Sequence, residues 1–234
     1  MKSIKKAWSV HILTLFPEMF PGPLNHSLIG KALKEKIWSL NLINLRYFAE
    51  KGPKSVDDKP YGGGPGMVIK SEVIDNALKK ITKKNKQCSL IYLTPKGKKI
   101  DQKKIKELVK KNNLILLCGK YEGVDQRVIE NWNMEELSIG DFILSGGEIP
   151  AMCLLDSCVR LLPKVVGSLE TLKDETFENN LLEYPQYTKP STWKGKKVPD
   201  ILLSGDHKKI KEWRKKESLK LTKLKRPDLL KIKN

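Results

Sequence analysis

Short apolar runs, each about five to seven residues long and each emptying into glycine or proline, constrain this chain more than any other feature. Leu114-Ile115-Leu116-Leu117-Cys118 leads into Gly119-Lys120-Tyr121-Glu122-Gly123. Ser138-Ile139-Gly140-Asp141-Phe142-Ile143-Leu144 leads into Ser145-Gly146-Gly147-Glu148. Such runs suit strands buried on both faces and fall far short of the roughly 20 apolar residues of a membrane-spanning helix. They alternate with amphipathic stretches, and the alternation predicts an α/β domain on a largely parallel sheet.

Strands are expected at residues 10–15, 40–47 and 89–93, the first halted by Pro17 and the third by Thr94-Pro95. A helix carrying Leu28, Ala32 and Leu33 follows the first strand. Ser71, Asp101 and Asp125 are placed to cap three more helices, because a short oxygen-bearing side chain there satisfies free backbone N–H groups. Residues 151–162 form a further helix that Pro163 ends. The glycine-rich stretch at residues 57–66 cannot be regular structure.

Neither glycine loop is a phosphate loop, since the spacing of a Walker sequence and that of a dinucleotide fingerprint are both missing. An NTP-binding enzyme is thereby excluded. Glycines at strand ends let main chain approach a ligand or another backbone segment, and taken singly each fits either reading.

Charge adds a partner class. The 234 residues hold 45 Lys+Arg against 27 Asp+Glu, a formal +18, which points to a polyanion, with nucleic acid favoured over an anionic membrane. A lysine-rich composition without any partner is the plain alternative. Residues 181–234 alone hold 16 Lys+Arg against 6 Asp+Glu. There Asp206 is placed to cap a helix with Ile210 and Trp213 inward, its lysines either a solvated face or a phosphate grip. Before it, residues 167–180 have the composition of a linker. Cys88, Cys118, Cys153 and Cys158 show no Cys-x-x-Cys pair and no histidine at ligand spacing, so no metal site is expected from them. Free cysteines, and a start without a secretory apolar stretch, suit a reducing cytoplasm.

Four strings together resemble the TrmD family of bacterial tRNA (guanine-N1)-methyltransferases: residues 60–67, 118–128, 138–151 and 202–207. They occur in the family's order and with similar spacing, and the likeness runs from about Leu13 to Leu230. The resemblance implies a SPOUT-type domain with a deep trefoil knot over residues 1–165, a linker at 166–177 that joins the active site, and a small basic helical tRNA-binding domain at 178–234. It also implies a homodimer with each site shared between subunits.

S-adenosylmethionine is the implied methyl donor. Its binding positions carry onto Tyr92, Leu93, Thr94 and Pro95, then Gly119, Tyr121, Glu122 and Gly123. A third group is Ser138, Ile139, Gly140, Asp141, Phe142, Ile143 and Leu144, with Gly146, Gly147 and Pro150. The substrate is guanosine 37, immediately 3′ of the anticodon in the tRNA anticodon stem-loop. Its N1 is protonated, so methylation there calls for a carboxylate and a cation. The family's base is an Asp in an Asp-Ser-Phe string. Here Glu175 falls at that position, one methylene longer, with Asp174 beside it as the alternative. Arg160 matches the family's arginine that stabilises O6. Asp57, Lys189, Lys194, Lys208 and Arg214 are the implied RNA contacts. Similar enzymes use Mg²⁺, which Glu122 with Glu175 or Asp174 could help place. A different class, an RNA-binding protein that keeps the fold without catalysis, is the competing expectation.

Overall fold

The central strands carry apolar side chains on both faces, and this places their sheet between two layers of helix. The computed structural model describes residues 7–49, 55–83, 88–167 and 175–231. They fall into two compact units that divide between Val166 and Gly167.

In the first unit, β1 (Trp8–Thr14), β2 (Trp38–Asn44), β5 (Ser89–Lys99), β6 (Asn113–Cys118) and β7 (Glu135–Ser138) form one sheet in the order β2-β1-β6-β5-β7. Every neighbouring pair in it is parallel. Side chains alternate across the pleat with period two. Val10, Ile12, Ile91, Leu93, Leu114 and Leu116 therefore join one core with residues of α1 (Ser27–Lys34), α3 (Gln102–Val109) and α5 (Glu148–Val159). Leu13, Tyr92, Ile115 and Leu117 join a second core with α2 (Ser71–Thr82) and α4 (Gln126–Asn131). The expected α/β class on a parallel sheet is what the chain forms. A two-stranded antiparallel ribbon, β3 (Asp57–Asp58) with β4 (Val68–Ile69), brackets the glycine-rich stretch.

Several expected boundaries move, each for a local reason. The strand expected at 40–47 begins earlier and ends at Asn44, whose Oδ1 accepts from Arg46 N–H at 2.9 Å and turns the chain into a 3-10 helix. Ser71 is the first residue of α2, and Lys70 holds the cap position without a side-chain hydrogen bond. Leu28 points to solvent, while Ala32 packs inward as a core residue with Ile29, and Leu33 packs partly buried against the same core. α5 starts at Glu148, three residues before the expected start, because Pro150 is accommodated within the first turn, where its missing N–H leaves no bond unmade. Beyond Ser138 the third apolar run is loop, held by a Ser138 hydroxyl that both donates to Gly140 O and accepts from Gly140 N–H.

The largest departure is at Thr94-Pro95, which does not stop β5. Leu93 and Lys98 both pair with Leu137, so residues 94–97 bulge out and the strand resumes. Gly97 permits this, since a Cβ there would stand 2.4 Å from Leu137 N.

Asp101 and Asp125 cap as expected, accepting from Lys104 N–H at 2.7 Å and Arg127 N–H at 2.9 Å. Asp101→Ala is expected to cost about 1 kcal/mol, to be read as a lower denaturant midpoint with unchanged slope in urea unfolding.

The second unit is organised by α6 (His207–Lys225), whose Asp206 cap accepts from Lys209 N–H at 3.1 Å. Ser218 and Thr222 are its buried residues, with Ile210 and Trp213 half-buried on the same stripe. Thr222 Oγ1 donates to Ser218 O at 2.7 Å and accepts from Leu182 N–H at 2.9 Å, anchoring the incoming chain. A hairpin of β8 (Thr192–Trp193) and β9 (Lys196–Lys197) turns through Lys194 and Gly195, both at positive φ, the primed geometry that suits strand twist.

Candidate active site

Parallel neighbours run in the same direction, so the bulge within β5 meets the loops leaving β6 and β7 on one edge. Between them lies a cleft of about 320 Å³. β5 contributes Tyr92 and Leu93, and its bulge Thr94 and Pro95. The β6 loop contributes Gly119, Tyr121, Glu122 and Gly123. Ser138, Ile139, Gly140, Phe142, Ile143 and Leu144 close the third side with Gly146, Gly147 and Pro150. Asp141 is the one residue of the expected set that does not line the cleft, because its carboxylate turns outward to Lys99 Nζ at 2.5 Å. Lys96, Lys120, Leu137 and Ser145 line it in addition.

Main chain fixes the cleft's shape. Gly147 N–H donates to Gly119 O at 2.9 Å, and Lys120 and Gly146 form an isolated antiparallel bridge. A Cβ on Gly147 would lie 2.6 Å from Cys118 Cα and 2.9 Å from Gly119 N, both backbone atoms. From the other side β4 pins the same loop: Ile69 N–H donates to Gly123 O at 3.0 Å, and Glu122 N–H to Met67 O at 3.1 Å. Phe142 and Ile143 are exposed at the mouth.

Beneath the cleft sits a polar contact that sequence reasoning missed. The Glu148 carboxylate is buried and accepts from Thr14 Oγ1 at 2.7 Å, while Thr14 Oγ1 accepts from Phe16 N–H at 2.9 Å. Glu148 opens α5, where the helix dipole favours an anion. The signal was present as an acidic residue directly after two glycines and before an apolar helix. Burial drives the adjacent Cys118 thiol well above its ordinary range, and the Glu148 charge adds to the shift. Burial also raises the Tyr92 phenol, within hydrogen-bond reach of Thr94 and the Val124 backbone. Both groups stay protonated and neutral at pH 7. Thr14→Val strips Glu148 of this donor and is expected to cost about 1–3 kcal/mol, measured by thermal unfolding beside Thr14→Ser, which restores the hydroxyl.

The remaining expected residues are distributed over both units. Arg160 caps the C-terminal end of α5, its backbone N–H on Asp156 O. Glu175 belongs to the second unit. It precedes a turn in which Thr176 Oγ1 accepts from Glu183 N–H and Phe177 N–H donates to Leu181 O. Asp174 lies outside the described residues. Asp57 pairs with Ile69 in the β3–β4 ribbon. Lys208 is exposed on α6, and Lys194 covers the Trp193 ring at 5.0 Å. Lys189 and Arg214 line a separate pocket within the second unit. Among the described residues no three His, Cys, Asp or Glu side chains converge to hold a cation. Nor is any described helix long and apolar enough to cross a membrane.

The family model for tRNA (Guanine-1)-methyltransferase TrmD matches residues 8–232. Proteins named tRNA (guanine-N(1)-)-methyltransferase are similar along almost the whole chain. The one from Pelagibacter ubique is 54% identical over 222 residues, covering 95% of this chain and 96% of that protein. The one from Ehrlichia canis is 52% identical over 222 residues, covering 94% of each. That from Rhodospirillum rubrum is 52% identical over 218 residues, covering 93% of this chain and 90% of its own. With two of the cleft's three loops built from strings that carried the resemblance, and the family model matching residues 8–232, the chain belongs to the tRNA (Guanine-1)-methyltransferase TrmD family.

Proposed function

We propose that this protein transfers a methyl group from S-adenosylmethionine to N1 of guanosine 37 in tRNA, immediately 3′ of the anticodon. The observation that carries the reading is the cleft between the β5 bulge and the ends of β6 and β7, walled largely by main chain, in a chain that the family model matches over residues 8–232.

The cleft suits the donor in size and chemistry. Backbone groups of residues 139–144 offer adenine paired donors and acceptors, and Leu93, Leu137 and Leu144 supply apolar wall. Glu122 brings a carboxylate toward the cationic methionine end. When bound, the donor supplies a methyl group already made electrophilic by its sulfonium.

The work left to the protein is to make N1 nucleophilic. Glu175 accepts the N1 proton, freeing the lone pair for the new N–C bond, and Arg160 donates to O6 as negative charge gathers there. Glu175 reaches the site of a second copy across a homodimer interface, which assigns residues 166–177 as the joining linker and 178–234 as the RNA-binding part. The resemblance supports a trefoil knot in the first unit, and so does the close backbone approach of Gly146 and Gly147 to the 118–120 segment. The setting is the cytoplasm.

Anticodon stem-loop transcripts with guanosine or adenosine at the target position, incubated with donor labelled in its methyl group, test the reading. Label in the guanosine RNA alone is the expected result. RNA binding without label would leave the RNA-binding role and remove the catalytic one.

A further inference from the structure

The second unit holds a pocket of about 340 Å³ that methyl transfer does not use. Val198, Leu202 and Ile210 give it apolar wall, and Tyr184, Tyr187 and Arg214 give it flat surfaces. The Arg214 guanidinium carbon lies 4.8 Å from the centre of the Tyr184 ring. Tyr187 packs at 6.4 Å and 55° against Trp213, yet keeps 48% of its surface exposed. Arg214 Nε is buried and has no hydrogen-bond partner among the described residues.

A buried N–H without an acceptor costs free energy, so such a group fits a ligand that brings one. The ligand must also be flat enough to lie on an aromatic face and apolar enough to sit against Val198, Leu202 and Ile210. A phosphate meets the first demand, and Lys189 on the same wall favours it, but it has neither a flat face nor apolar surface. An unpaired nucleobase meets all three, having a π face and ring or carbonyl acceptors on its edge. The surrounding sequence, with 16 Lys+Arg against 6 Asp+Glu over residues 181–234, supplies the attraction for the backbone that would carry such a base.

We propose that this pocket receives one unstacked base of the RNA substrate, lying against Tyr187 and hydrogen-bonded by Arg214. The base is distinct from the methylated guanine. This assignment rests on the tRNA reading above and gives Arg214, an implied RNA contact, the part of base recognition.

Binding of a fluorescent anticodon stem-loop by the full-length protein tests it, with methyl transfer assayed on the same preparations. Tyr187→Ala is expected to weaken Kd about 5- to 100-fold, the range for loss of one stacked base. Tyr187→Phe keeps the ring and should bind within about twofold of wild type. Arg214→Lys keeps the charge but loses the planar donor, and is expected to weaken binding without changing the salt slope. In a series of RNAs with single abasic positions, one position other than the target should weaken wild-type binding to the same extent. Combined with Tyr187→Ala it should weaken binding no further.

The wild-type arm of that series stands even if a variant fails to fold. Binding by Tyr187→Ala within twofold of wild type, or no such abasic position, overturns the proposal while methyl transfer keeps the parent reading intact. Wild-type affinity in Arg214→Lys, with a salt slope reduced by about one in Arg214→Ala, marks a phosphate contact and also overturns it. A wild type that neither binds nor methylates the RNA overturns both readings.

Discussion

Glu175→Gln is expected to lower kcat for methyl transfer by about 10²–10⁴-fold, the usual contribution of one positioned general base. Glutamine preserves the size and the hydrogen-bonding reach of the side chain and removes only its capacity to take the N1 proton. The Kd for S-adenosylmethionine should therefore stay within about twofold of wild type. Single-turnover rates and calorimetric titration separate the two quantities. Raising the pH supplies a second check. Guanine N1 loses its own proton at alkaline pH, so the deficit of Glu175→Gln should shrink as pH rises. If Asp174→Asn shows the loss and Glu175→Gln does not, the base is Asp174. The turn set by Thr176 and Phe177 would then present the wrong carboxylate in this account.

Gly147→Ala is expected to weaken S-adenosylmethionine binding more than tenfold and to cost about 1–3 kcal/mol of stability, the range for overpacking. The new Cβ would meet Cys118 Cα and Gly119 N, which belong to a fully buried strand end and cannot rotate away. Relief requires Gly147 to withdraw, which breaks its hydrogen bond to Gly119 O and parts two of the three loops. Isothermal titration with the donor and a thermal melt measure the two effects. A variant with the donor affinity and melting temperature of wild type would show that this contact does not hold the cleft.

How legible the molecule was in its sequence follows from the range over which each signal acts. The two-faced strand β6 was visible because burial on both sides leaves an unbroken apolar run, Leu114 to Leu117. The Asp101, Asp125 and Asp206 caps were visible because a cap answers to backbone three residues away at most. Ser71 misled for the complementary reason, since a capping residue can equally begin a helix. Strand order was not legible, and neither was the resumption of β5 after Pro95. That resumption depends on Gly97 meeting the backbone of Leu137, a contact between segments far apart in the chain.

The cleft was largely legible through the resemblance, whose strings hold the loops after β6 and β7 and whose implied binding positions add Tyr92 to Pro95. Asp141 was carried along with its neighbours, and the structure turns it to Lys99. The Thr14–Glu148 contact spans 134 positions, so only its acidic end left a local trace, Glu148 directly after two glycines, and nothing near it named Thr14 as the partner. The pocket around Tyr187 was equally hidden, because it draws on three separate stretches of the second unit.

Nucleoside mass spectrometry of a guanosine-37 stem-loop, after incubation with S-adenosylmethionine and a small fraction of an equivalent of enzyme, tests the central claim most directly. The account predicts 1-methylguanosine in molar excess over enzyme, at position 37 alone, with reverse transcription stopping there because the methyl blocks the pairing edge. Methylation at another atom of the base, at another position, or not at all while the RNA remains bound would contradict it.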